Sequence, residues 1–129
     1  MKYCDRALFI SPYYYGLCLS EKDFHKELKR FNLPKSSWPD SIMNGAHATA
    51  HEFVDADGRL SIIVCLGPVR GRTIHQVNAM LVHEATHIWQ SIRRCIGEKE
   101  PSTEFEAYAM QNIAQSLMEA YGERKKSKV

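Results

Sequence analysis

The longest regular pattern of hydrophobic positions predicts a helix over residues 73–96. Apolar residues recur there every three or four positions, which places them on one face of an amphipathic helix. They are Ile74, Val77, Leu81, Ala85, Ile88, Ile92 and Cys95. Gly97 follows directly and marks the predicted end, because glycine readily adopts the left-handed conformation found at helix C-termini.

Two further helices are predicted, one near each end of the chain. Residues 20–31 begin with Ser20, a residue type that caps helices, and carry three large apolar side chains on one stripe. Residues 103–121 follow a Pro-Ser pair, which is typical of a helix start, and end before Gly122.

A β-hairpin is predicted over residues 46–66. Residues 59–66 are rich in β-branched and apolar side chains, which indicates a well-buried strand, and residues 46–54 alternate weakly. The Asp-Ala-Asp-Gly sequence at 55–58 supplies the turn between them. The order of helix, hairpin, long helix and last helix predicts an α+β fold with a small antiparallel sheet packed on the helices.

The length and charge of the chain indicate a single globular domain without a nucleic-acid-binding surface. With 129 residues, 44% of them hydrophobic, residues 1–129 are expected to form one globular domain. The 17 basic and 15 acidic residues leave a net charge of only +2, which argues against a nucleic-acid surface. Much of this basic excess lies in residues 122–129, where we expect a frayed basic tail.

The sequence predicts a cytoplasmic protein that does not enter a membrane. The longest apolar run, 62–66, is far shorter than the roughly 20 residues of a membrane-spanning helix. Asp5 and Arg6 interrupt the start of the chain, so no signal peptide is expected. The cysteines form no C-x-x-C pair, which indicates reduced thiols. They are Cys4, Cys18, Cys65 and Cys95.

The long predicted helix contains an H-E-x-x-H sequence, His83-Glu84-Ala85-Thr86-His87. Residues four apart share a helical face, so both imidazoles can reach one metal ion. Glu84 projects about 100° from His83, close enough to act on a metal-bound water without being a ligand. The expected metal is zinc, which accepts nitrogen and oxygen ligands in tetrahedral geometry.

A catalytic zinc site with two histidines needs a third protein ligand. Extension to a three-histidine motif fails, because Gln90 and Arg93 occupy the corresponding positions. Two carboxylates of the last helix, Glu104 and Glu106, are the remaining candidates. Glu106 fits a capping box with Thr103, yet a helical wheel places it nearer the apolar face than Glu104.

These motifs resemble those of the Glu-liganded zincins (gluzincins), and more narrowly the small metallopeptidase-like proteins of phage and prophage genomes. The third ligand in such families is the first Glu of an E-x-x-x-D or E-x-x-A-D motif on a neighbouring helix. Here Glu104 and Ala107 match that motif, while Tyr108 replaces the aspartate. The resemblance covers about residues 59–121 as an edge strand, an active-site helix and a glutamate helix.

The resemblance implies a minimal zincin-like domain that binds one Zn²⁺ per chain through His83, His87 and Glu104. It also implies a zinc-dependent metallopeptidase acting on a peptide or protein, with Glu84 as the general base. An extended peptide is then expected to pair along the strand at 59–66. The alternative is a non-catalytic zinc-binding interaction or phage-assembly protein that keeps this fold.

Other polar residues are weaker candidates. The remaining histidines are isolated in the sequence, which favours solvated or hydrogen-bonded side chains over metal ligands. They are His25, His47, His51 and His75. The tyrosines at 13–15 favour a packed or edge aromatic cluster over a group that stabilises an oxyanion. Arg94 lies on the histidine face, where a solvated arginine is favoured and a contact with a substrate carboxylate is the alternative.

Overall fold

Three helices and a three-stranded sheet form the described part of the computed structural model, which comprises residues 1, 3–4, 12–54 and 57–127. The α+β class predicted from the sequence is therefore confirmed. In chain order the elements are β1 (Tyr13–Cys18), α1 (Glu21–Arg30), a 3₁₀ turn (Lys35–Ser37), β2 (Ala48–Val54), β3 (Leu60–Leu66), α2 (Ile74–Cys95) and α3 (Thr103–Ser127).

The sheet has the strand order β1-β3-β2. β2 and β3 pair in antiparallel fashion, which confirms the predicted hairpin. β1 pairs with β3 in parallel, so the prediction of an antiparallel sheet is wrong and the sheet is mixed. The tyrosines at 13–15 begin β1, where Tyr13 and Tyr15 are buried in the core and Tyr14 lies on the other face of the strand.

β3 is the central strand of this sheet, and six of its seven residues are buried. The expectation that it forms an edge is therefore wrong. A strand covered on both faces favours a continuous apolar run, which is what this segment contains. β2 is an edge strand, since β3 is its one strand neighbour in the described sheet.

The first two helices follow their predicted boundaries to within a residue. Ser20 caps α1 by accepting a hydrogen bond from the Asp23 backbone N–H at 3.1 Å. Thr73 and Gln76 form a capping box at the start of α2, where each side chain accepts from the other residue's backbone N–H. Among the helices of the described residues, none combines the length and apolarity needed to cross a membrane.

The last helix, α3, runs past its predicted end. Gly122 does not adopt the left-handed conformation that ends a helix, and α3 continues to Ser127. The prediction of an end at residue 121 is therefore wrong. Tyr121 is buried in the core and Arg124 forms an ion pair with Asp23 of α1, so tertiary contacts hold the turns on both sides of the glycine.

Some sequence-based expectations concern positions outside the described residues. They are the start of the chain at Asp5 and Arg6, positions 55–56 of the predicted turn, and positions 128–129 of the predicted tail.

The sheet separates two hydrophobic clusters. Ile62 and Val64 of β3 point into the cluster formed with α2 and α3, whereas Ile63 and Cys65 point into the cluster formed with α1. This alternation follows from the two-residue period of a strand. α2 consequently lies on one face of the sheet with the edge strand β2 beside it.

His51 of β2 is buried on the α1 side of the sheet. Its Nε2 donates to the Ser41 carbonyl at 2.8 Å, and its ring centroid lies 4.8 Å from that of Phe24. Burial lowers the pKa of His51, because the charged imidazolium is disfavoured there, and the hydrogen bond to Ser41 partly opposes that shift. His51 is therefore a buried, hydrogen-bonded residue whose environment disfavours the charged form.

This lowered pKa predicts a loss of stability in acid. Below the ordinary histidine pKa of about 6.5, the unfolded chain binds a proton that folded His51 does not, so the free energy of unfolding decreases. We expect His51→Gln to flatten that decrease as the pH falls through about 6.5. Urea denaturation checks this, with exposed His75→Gln as the control. Equal slopes for His51→Gln and the wild type would contradict it.

Candidate functional site

The H-E-x-x-H residues lie in the middle of α2, where the sequence predicted them. His83 and His87 are both exposed and share one face of the helix. Their ring centroids are 5.0 Å apart and the ring planes are inclined by 73°. Two imidazoles in this position can turn toward a common ion in the space above the helix.

A groove of about 440 Å³ runs between α2 and the edge strand β2. We call it the α2–β2 groove. Its helical wall includes His83, Glu84 and His87, and extends to Arg94. The opposite wall is formed by alternate residues of β2, namely Ala48, Ala50 and Glu52. Both histidines and the intervening glutamate therefore face one concave surface, as a binding site requires.

Glu84 is buried, with 3% of its surface exposed. Its Oε2 atom has no hydrogen-bond partner among the described residues. Burial raises the pKa of Glu84, and the neighbouring His83 and His87 oppose this shift. Buried polar groups are nearly always hydrogen-bonded, and an unpaired one costs stability. An unpartnered buried carboxyl on the wall of a groove is therefore a candidate for chemistry rather than for folding.

Glu106 has a structural partner. Its Oε2 accepts a hydrogen bond of 2.8 Å from the indole Nε1 of buried Trp89. Ser102 caps α3 by accepting from the Phe105 backbone N–H, so the predicted capping box of Thr103 and Glu106 is wrong. The apolar environment that the helical wheel indicated for Glu106 is the contact between α2 and α3.

The structure does not bring Glu104 to the histidines. Glu104 is exposed near the start of α3 and does not line the α2–β2 groove. Within residues 1, 3–4, 12–54 and 57–127, no three His, Cys, Asp or Glu side chains are grouped to hold one metal ion. The donors that fit a metal are thus His83 and His87, beside the unpartnered Glu84. Glu104 as the third ligand stays a prediction.

The isolated histidines have other partners or positions. His47 Nδ1 accepts a hydrogen bond of 2.9 Å from Arg72, and His51 lies on the far side of the sheet. His25 lies 3.7 Å from Glu21 on α1. These contacts agree with the interpretation of such residues as hydrogen-bonded side chains.

Sequence reasoning missed Glu52 as a groove residue. Its carboxylate accepts hydrogen bonds from Ser91 of α2 and, at 3.4 Å, from the Tyr13 hydroxyl of β1. The alternation along β2 was the available signal, since it places Glu52 on the same face as Ala48 and Ala50. The helix that this face meets is not encoded in that local pattern.

Comparison of the chain with known protein families, with curated proteins and with solved structures gives no match.

Proposed function

We propose that this protein is a zinc-dependent metallopeptidase of the zincin type. The observation that carries the proposal is Glu84, a buried carboxyl whose Oε2 atom has no hydrogen-bond partner among the described residues. It lies between two exposed imidazoles that face the same groove. A helix serving the core alone would place an apolar residue at this position, because burying an unpaired carboxyl costs free energy.

Zinc binding and proton transfer are assigned to different residues. His83 and His87 would hold the zinc, and Glu104, the third ligand expected from the sequence, would have to approach them from the start of α3. Zinc, when bound, supplies a Lewis acid that polarises a peptide carbonyl and makes water more acidic. Glu84 accepts a proton from the attacking water and passes it to the amine of the leaving peptide.

The edge strand β2 is the proposed docking strand for the substrate. Its outer backbone edge has no strand partner in the described sheet, and its Ala48, Ala50 and Glu52 side chains line the groove. An extended peptide can add to such an edge through main-chain hydrogen bonds. The docking strand proposed here is thus β2, in place of the strand at 59–66 that the sequence suggested.

Zinc and inhibitor binding test this proposal. We expect the chelator-treated chain to take up about one zinc, measured by calorimetry and elemental analysis. A hydroxamate should bind the zinc-loaded chain and not the zinc-free chain, because its two oxygens need an open coordination position. The loaded chain should cleave unfolded proteins, and chelation should stop the cleavage.

Zinc binding without hydroxamate binding or cleavage would contradict the proposal. That result would indicate a closed coordination shell, and would favour a zinc-stabilised interaction or assembly protein. The matched control is exposed His75→Ala, which removes a histidine from the same helix outside the α2–β2 groove. This variant should behave as the wild type.

A further inference from the structure

The α2–β2 groove ends in a charged pair. Arg94 lies about 10 Å beyond His87 along α2, at about 1.5 Å per residue. Its Nη2 is 3.5 Å from Glu52 Oε1 and 3.3 Å from the Ser91 hydroxyl. The Arg94 side chain is 73% exposed and the Glu52 side chain is 46% exposed. Both line the groove that holds the histidines.

The Glu52 carboxylate has several hydrogen-bond partners, whereas most of the Arg94 guanidinium has none among the described residues. The Glu52 carboxylate accepts from Ser91, from Tyr13 and from Arg94. Arg94 uses only Nη2, so its Nε and Nη1 have no partner among the described residues. Neighbouring Arg93 differs, since its guanidinium donates to two backbone carbonyls after the helix. A guanidinium only donates and is positively charged, so the free N–H groups at this end of the groove suit an acceptor, and an anionic acceptor best.

Glu52 has hydrogen bonds besides the one from Arg94. Ser91 of α2 donates to its carboxylate, and the Tyr13 hydroxyl of β1 lies 3.4 Å from Oε2. The 3.5 Å contact with Arg94 is long for a charge-assisted hydrogen bond, which is ordinarily about 2.7–2.9 Å. Arg94 can therefore turn its fork toward a ligand while Glu52 retains hydrogen bonds.

The opposite end of the groove is less polar. There a neighbouring cavity of about 400 Å³ is lined mainly by Ala46, Ala48, Ala79 and Met80, and it also reaches His47, His83 and Glu84. His83 and His87 thus lie between an end lined mainly by apolar residues and an end that carries Arg94. A peptide lying along the groove meets different chemistry on the two sides of the bond to be cleaved.

We propose that Arg94 is a specificity-determining residue that binds a carboxylate of the peptide. This inference rests on the proposed function. At about 3.3 Å per extended residue, the distance of about 10 Å places that carboxylate about three residues from the scissile bond. An acidic side chain and a C-terminal carboxylate present the same chemistry to the guanidinium, which can bind either through two parallel hydrogen bonds.

Peptide binding to the full, chelator-treated chain tests the inference without turnover. The probes are fluorescent peptides of alanine and leucine, blocked at both ends, with one glutamate moved along the sequence. Each has a twin with glutamine at the same position, and one further arm has a free C-terminus in place of the glutamate. Fluorescence anisotropy at moderate salt gives the dissociation constants.

We expect a carboxylate at one position to bind about tenfold more tightly than its neutral twin, because a charge-assisted pair is stronger than a neutral one. Arg94→Gln should remove this preference. Arg94→Lys should reduce it, because an ammonium group cannot donate two parallel hydrogen bonds to a carboxylate. Arg70→Gln, which removes an exposed arginine outside the groove, should keep it. A preference for a glutamate peptide would identify an acidic side chain as the ligand of Arg94, and a preference for the peptide with a free C-terminus would identify the C-terminal carboxylate.

Equal binding of charged and neutral peptides, or no binding of any peptide at millimolar concentration, would overturn the inference. So would a preference that survives in Arg94→Gln, provided that circular dichroism shows a folded variant. Failure of the proposed function is a separate result. In that case the zinc-loaded wild type would not cleave peptides, while the Arg94-dependent preference would still be measured.

Discussion

Glu84→Gln is expected to lower peptide hydrolysis by about a thousandfold while zinc binding is unchanged. The amide has nearly the shape of the carboxylate but cannot take a proton from water. His83 and His87 keep their positions, because the exchange leaves the helix and its packing intact. Initial rates of peptide cleavage by the zinc-loaded variant and its zinc content by elemental analysis check this result.

The same variant is expected to be at least as stable as the wild type when zinc is removed. Glu84 is 3% exposed and lacks a partner for Oε2 among the described residues, so a neutral side chain relieves the cost of a buried charge. Thermal unfolding measures this, and exposed Glu100→Gln is the matched control for both activity and stability. Cleavage by Glu84→Gln within tenfold of the wild type would rule out Glu84 as the general base.

Replacing either histidine is expected to weaken zinc binding by at least about 100-fold, because a zinc site divides its binding free energy among few ligands. His83→Ala and His87→Ala remove the two imidazoles that the α2–β2 groove brings together. Glu104→Ala should also weaken binding if Glu104 is the third ligand. Calorimetric titration with zinc measures each affinity, and retention of zinc by the His83→Ala/His87→Ala double variant would overturn the site.

Glu106→Ala separates a structural glutamate from a ligand. It leaves the buried indole N–H of Trp89 without its partner, so we expect a loss of about 1–3 kcal/mol in the free energy of unfolding. Zinc affinity should not change. If Glu106→Ala removed the metal and Glu104→Ala did not, the third ligand would be Glu106.

Local sequence was sufficient for the helices and the hairpin. The caps of α1 and α2 join residues three positions apart, namely Ser20 with Asp23 and Thr73 with Gln76. Pairs this close along the chain form a local sequence pattern. The two histidines of the H-E-x-x-H motif are likewise only four residues apart, so their common face of the helix could be predicted from the sequence. β1 was missed because its parallel pairing with β3 joins distant segments and leaves no signal in the local pattern.

Tertiary contacts overrode local preference at two places in α3. Gly122 is a common helix terminator, yet the buried Tyr121 and the ion pair of Arg124 with Asp23 support the helix on both sides of it. Glu106 was suited to a capping box, but Trp89 of α2 takes its carboxylate. A contact with another element offers more burial than a local hydrogen bond at a helix end.

The sequence by itself determined that His83 and His87 share one face of α2, because the helical period sets the relative directions of residues four apart. It also determined the type of the helices and of the hairpin. Only the tertiary structure decided that Glu84 is buried without a partner, that β2 is the wall opposite α2, and that Glu52 faces Arg94. Glu52 and Arg94 are 42 residues apart, and a contact over that separation depends on how the elements pack, which no local propensity encodes.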